Sequence, residues 1–386
     1  MSDHAILSPS SAHRWLACPP SARLEQQFPD EKSEYAAEGT FAHRLAELRL
    51  SRAVANSLKP SVYKRKLAEI KKDPMYSTSL EEYVEQYVTQ VSEIFLTAKD
   101  KCPDALALLE QRLDFSEWVP GGFGTGDVVI ISDDTVEVID LKFGKGVPVS
   151  AEGNPQTRLY GLGAIRTYEM LYDFSKVRMT IIQPRLDNIS TEELTVEELL
   201  AWAEDYLKPK AALAITGEGE FFAGEHCRFC RARATCRARV KYNLELAKYD
   251  FQEPPLLTHE EIAEILARAE ELHKWVKDIQ DYALDQAENH GVKFPGWKLV
   301  EGRSIRKYVD EDAVARALIE AGFSEDTIYT RSLLGITAME KEIGKKKFEK
   351  LLGDLVVKPA GKPTLVPESD KRPEINSTEA AKADFS

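Results

Sequence analysis

Asp127, Asp140 and Lys142 have the types and spacing for metal-assisted chemistry. Residues 128–131 and 136–139 are β-branched runs separated by Ser132-Asp133-Asp134-Thr135, which predicts a β-hairpin with a polar turn. A two-residue or a four-residue loop gives the same register, with Asp127 opposite Asp140. Lys142, two residues further on, points to the face of Asp140. Carboxylates directly across a strand pair repel, and a hard cation such as Mg²⁺, which takes carboxylate oxygens and keeps several waters, relieves that repulsion. Such an ion polarises a phosphate and lowers the pKa of a bound water, while a neighbouring lysine orients or activates the nucleophile. The chemistry indicated is phosphodiester hydrolysis. The competing reading, a solvated hairpin with Asp and Lys paired on a polar face, leaves the in-register Asp127 unexplained.

Asn154-Pro155 reads as a helix start, Asn as N-cap and Pro at the first helical position. Gln156 and Tyr160 then share one face at i and i+4, where both can hydrogen-bond a phosphate or a water. Taken alone, they are ordinary surface residues.

Together, Asp127, Asp140-Leu141-Lys142 and Gln156-x-x-x-Tyr160 resemble the core of the PD-(D/E)XK nucleases, in particular the RecB/AddB-like branch. The segment from Glu38 to Glu47 is similar to that branch's G-x-x-x-H-x-x-x-E motif. The resemblance implies an α/β fold, a central mixed sheet flanked by helices. It implies Mg²⁺ or Mn²⁺ held by His43, Asp127 and Asp140 with the Leu141 carbonyl as an extra ligand. Lys142 would assist the water, and Gln156 and Tyr160 would position substrate or the lysine. Glu110 falls on the strand before the hairpin, which in this family sometimes carries an accessory acid.

A second cluster, Cys227-x-x-Cys230-x₅-Cys236, has the spacing of a site for a soft-ligand metal. Three cysteines want a fourth donor, and the adjacent His226 would complete a zinc site. In the AddB-like nucleases one cysteine near the start of the domain joins three after its end to hold a [4Fe–4S] cluster. Cys18, followed by Pro, matches that split arrangement. By this resemblance the four thiols staple the first helix to the end of the nuclease domain; Zn²⁺ is the alternative. Arg228, Arg231 and Arg233 lie between or beside these cysteines and suit phosphate contacts with DNA.

The 386 residues leave room for two or three domains, and a composition of 43% hydrophobic and 30% charged is that of a globular chain. A net charge of −13 argues against a general nucleic-acid coat, so DNA contacts must be local. Basic residues do concentrate at 64–72 and 228–241. Five cysteines, an odd number, disfavour a disulfide framework. No apolar run reaches the length of a membrane span, and the N-terminus lacks a signal-peptide core; the expectation is a cytoplasmic protein without a membrane partner.

Helices are expected over about 12–17, around His43 with Thr40 as cap, 80–99, 155–171, 196–212 and 258–291. Two more are expected after Asp310 and Thr337. The domain plan is a nuclease domain at 1–245, a mostly helical domain at 255–357, and a flexible tail at 358–386. The whole chain resembles an uncharacterised phage- and prophage-borne family. That implies a bacterial host cell and a nuclease, most simply an exonuclease, working on single strands or duplex ends with phage replication or recombination proteins. Two other readings stay open: a catalytically silent DNA-end-binding or assembly subunit, and a zinc-stabilised enzyme acting on RNA.

Overall fold

The computed structural model describes residues 5–29, 34–55, 57–245, 257–300, 310–329 and 333–356. Within the first compact unit, Met1–Asp285, the chain opens with α1 (Ala12–Ala17), α2 (Ser21–Leu24), α3 (Glu34–Ala53), α4 (Pro60–Ile70) and α5 (Thr78–Lys101). Strands β1 (Leu106–Asp114), β2 (Phe123–Ser132) and β3 (Thr135–Leu141) follow, then α6 (Pro155–Tyr168), β4 (Lys176–Gln183) and β5 (Asn188–Thr195). The unit ends with α7 (Val196–Trp202), α8 (Lys208–Thr216), α9 (Arg237–Leu244) and most of α10 (His259–Asn289).

The chain is thus α/β, with one mixed five-stranded sheet in the order β1-β2-β3-β4-β5. All neighbours are antiparallel except β3 and β4, which run parallel and need the α6 crossover between them. The hairpin turn has two residues: Ser132 pairs with Thr135, and Asp133 takes the left-handed conformation that Asp tolerates, φ 51°. The β2–β3 ladder runs to Val128↔Ile139, so Asp127 and Asp140 occupy the next position of the expected register.

Alternation along the strands feeds two cores. Val129, Ile131, Val136 and Val138 join α6, α7 and α8 in one, while Val128, Ile130, Ile139 and Leu141 join α3 and α5 in the other. The apolar stripe of α5 is core, as its period predicts: Val84, Tyr87, Val88 and Val91 are buried, with Tyr83 and Phe95 packed against the cluster. Ser77 caps that helix by accepting a hydrogen bond from Leu80 N.

Gly163 lets α6 lie on β1. A Cβ there would stand 2.8 Å from the Leu113 Cβ and 3.1 Å from its backbone carbon. Gly163→Ala is expected to destabilise the protein by about 1–2 kcal/mol despite alanine's better helix propensity, because overpacking outweighs it; urea denaturation measures it.

Several expectations need correction. Thr40 does not cap the His43 helix: α3 already runs from Glu34, as the helix formers Ala36, Ala37 and Glu38 allow. The helix expected over 196–212 has its Thr195/Glu198 capping box, but a π-turn, Ala203–Leu207, divides α7 from α8. Pro209 supplies no N–H to Asp205, which favours such a break. The polar edge strand β5 had no sequence expectation. Gly124, near the start of β2, gives room to the protein's own side chains: a Cβ there would meet Pro9 and Tyr160.

In the second unit, Gln286–Ser386, the described helices after α10 are α11 (Glu311–Glu320), capped by Asp310, α12 (Glu325–Ile328), α13 (Ile336–Ile343) and α14 (Lys345–Leu352). Thr337 lies inside α13; Gly335 is its N-cap. The expected tail at 358–386 lies outside the described residues.

Candidate functional site

The C-terminal end of β3 presents the side chains expected to do chemistry. Asp140 is buried, 4% exposed, and its Oδ2 lies 2.8 Å from Lys142 Nζ. Oδ2 is thus a buried oxygen whose partner is the Lys142 ammonium, in an off-axis contact. Lys142 Nζ donates to Gln156 Oε1 at 2.8 Å, while Gln156 Nε2 reaches Asp140 Oδ1 at 3.3 Å and Tyr160 Oη at 3.2 Å. One network therefore ties β3 to the first two turns of α6. The helix begins where expected: Asn154 Oδ1 accepts from Gln156 N, and Pro155 supplies the fixed φ of the first position. Arg158 then clamps α6 to β5 by a two-pronged pair with Glu192, at 2.9 and 2.6 Å, and Glu192 also accepts from Gly153 N at 3.0 Å.

Asp127 lies on the other side of the hairpin. Its Oδ2 accepts from Leu141 N at 2.7 Å, and its Oδ1 lies 3.1 Å from His43 Nδ1. A carboxylate at Nδ1 leaves Nε2 as the histidine's ligating nitrogen. Helix α3 is held for this by Arg185, which follows β4 and grips Glu38 through two hydrogen bonds of 2.9 and 2.7 Å.

The electrostatics fit a shared anionic cluster. Burial raises the Asp140 carboxyl above the ordinary range; Lys142 opposes the rise and the Asp127 charge adds to it. Burial pulls His43 down, but its hydrogen bond to Asp127 and the charges of Asp127 and Asp140 raise it overall. Tyr160 is held protonated by burial and by the Asp140 charge. Among the described residues, no three His, Cys, Asp or Glu side chains close on one point as tightly as a single ion requires.

Glu110 and Tyr87 extend the site beyond the motif. With His43, Glu47, Asp127 and Leu141 they line a small cavity under α3. Glu110 falls between the Leu109↔Val128 and Gln111↔Gly126 pairs of the β1–β2 ladder, where the pairing is interrupted and its φ is 49°, a left-handed value uncommon for a non-glycine residue. Although the residue as a whole is exposed, partial loss of water around the carboxyl and the charges of Asp127 and Glu47 raise it to about 7. The helical period of α5 marks Tyr87 as a core residue, because spacing alone does not separate a buried tyrosine from a phenylalanine.

A separate cavity is lined by Cys18, Cys227, Cys230 and Cys236, the four thiols singled out in the sequence. Cys18, Cys227 and Cys230 are buried, and no disulfide joins any of the five cysteines. Burial pushes the Cys230 thiol up to about 12 and raises Cys227 as well. Glu25 draws the ends of this unit together by accepting from Arg231 N at 2.9 Å while pairing with Arg14 at 3.2 Å. His226 is held by the Phe222 carbonyl at 2.9 Å, and a hydrogen bond to Cys18 raises its pKa. Arg228 is exposed and lies over the Phe229 ring, and Arg231 is also exposed. Arg233 turns instead toward α10, 3.1 Å from Asp278. The remaining Cys102 is half-buried at the C-cap of α5. Among the described residues no helix is long and apolar enough to cross a membrane.

Among solved structures, the chain is similar to the one titled "Crystal structure of SSO0001", at 16% identity, a TM-score of 0.23, and coverage of 57% of this chain and 95% of that one. A likeness of that size carries no weight for fold or activity. A family model covers nearly the whole chain, residues 4–373. The chain therefore belongs to the family described as "Protein of unknown function (DUF2800)".

Proposed function

We propose that the protein is a divalent-metal-dependent deoxyribonuclease of PD-(D/E)XK type, an exonuclease rather than an endonuclease, acting in phage DNA replication or recombination. One observation carries the reading: Asp140, Lys142, Gln156 and Tyr160 form a continuous network at the strand end where Asp127 and His43 also meet. A solvated hairpin has no need to bury Asp140 or to spend a lysine on it.

The donor set suits Mg²⁺ or Mn²⁺, because His43, Asp127 and Leu141 line one small cavity beside the buried Asp140 and carboxylate and carbonyl oxygens suit hard cations. Asp140, Asp127, His43 and the Leu141 carbonyl would draw together on the ion. Bound there, it supplies Lewis acidity toward phosphate oxygens and water. Asp140 and Gln156 hold the Lys142 ammonium beside the reacting phosphate, where it stabilises developing charge. Gln156 is itself fixed by Tyr160, so the lysine's position is set two contacts deep. His43 is kept in one tautomer by Asp127.

The four cysteines suit a [4Fe–4S] cluster, with Zn²⁺ as the alternative, because they line one cavity and the buried Cys227 and Cys230 thiols, both raised by burial, would need a metal to exist as thiolates. The exposed Arg228 and Arg231 beside them suit the phosphates of a DNA strand, while Arg233 serves the fold. Labelled single- and double-stranded DNA incubated with Mn²⁺ should be degraded, and EDTA should stop it. DNA binding without any cleavage would favour the alternative, a silent end-binding subunit.

A further inference from the structure

The Tyr87 side chain, from the middle of α5, is fully buried, and its hydroxyl has no hydrogen-bond partner. Buried polar groups are nearly always paired, so an orphaned hydroxyl calls for an explanation. Phenylalanine would fill the same core position without that cost. The residue borders a cavity of about 10 Å³, the room of one water, whose other walls include Glu47, Glu110 and Asp127. A phenol kept protonated by burial and by the charges of Asp127, Asp140 and Glu110 is a hydrogen-bond donor. It therefore faces a set of acceptors with none in reach. Glu110 lines the same cavity and is exposed, so its side chain has room to turn inward.

We propose that Tyr87 is a positioning residue: through one water in this cavity its hydroxyl holds the Glu110 carboxyl against the Asp127 side of the site. This inference rests on the nuclease reading for its consequence but not for its geometry. Fixing Glu110 completes an acidic wall on the side of Asp127 away from Lys142, and a loaded divalent ion would feel that wall.

The test uses the full-length protein and the variants Tyr87→Phe, Glu110→Gln and the double variant. Mn²⁺ affinity is measured without nucleic acid, the unfolding midpoint in urea, and kcat and KM on DNA. Tyr87→Phe should keep or raise the midpoint while weakening Mn²⁺ binding at least about threefold and lowering kcat about tenfold at unchanged KM. Glu110→Gln, at an edge-exposed position, should do the same. The double variant should be no worse than either single change, the mark of two residues acting as one. Wild-type Mn²⁺ affinity and kcat in Tyr87→Phe, or additive losses in the double variant, would overturn the proposal. Should Tyr87→Phe fail to fold, wild-type Mn²⁺ binding by Glu110→Gln would overturn it equally. If the wild type cleaves no DNA, the nuclease reading fails, while the Mn²⁺ measurements still decide the role of Tyr87.

Discussion

Asp140→Ala and Lys142→Ala are each expected to lower DNA cleavage by roughly a thousandfold, the loss typical of removing a charge-stabilising group from a reacting centre, with DNA binding kept. The two variants should part company in stability. The folded protein raises the Asp140 carboxyl above its ordinary value of 3.8. Between that value and the raised one the native state binds more protons than the unfolded state, so stability falls as pH rises through the window. Asp140→Ala removes this loss, and its urea midpoint should gain on the wild type from pH 4 towards neutrality. Lys142→Ala removes the charge that opposes the rise, so its midpoint should fall further over the same range. Full cleavage by both variants would remove Asp140 and Lys142 from the chemistry.

On the proposed four-cysteine metal site, Cys18→Ser and Cys230→Ser are expected to bind no metal there and to unfold on the order of 10 °C lower, as metal-coupled folding worth several kcal/mol requires. Anaerobically purified wild type should be brown with iron and labile sulfide. A colourless protein with stoichiometric zinc would select the other metal, and one with neither would remove the cluster. Cys102→Ser is the control and should leave metal content unchanged.

The hairpin and its helix were legible because local rules determine them. β-Branched runs, a two-residue Asp-Asp turn and an Asn-Pro helix start leave little choice of register, and register alone puts Asp127 across from Asp140. The gathering of Cys18 with Cys227, Cys230 and Cys236 around one cavity came from a resemblance, since no local rule joins residues so far apart. What was missed depends on tertiary contact. Arg158 and Glu192 look like surface charges until β5 exists to pair them, and NISTEELT has too little apolar character to announce a strand. Tyr87 carries the period of a core residue and is one; only the surroundings of its hydroxyl make it more.

The contact between Arg231 N and Glu25 spans 206 residues of chain. A ribosome adding about 5–20 residues per second needs roughly 10–40 s to make that length. For that interval the newly made N-terminal helices lack the segment that closes over them, and the Cys18 thiol is open to oxidants. Synthesis in an oxidising cell should therefore damage this protein while it is being made, and spare copies already complete.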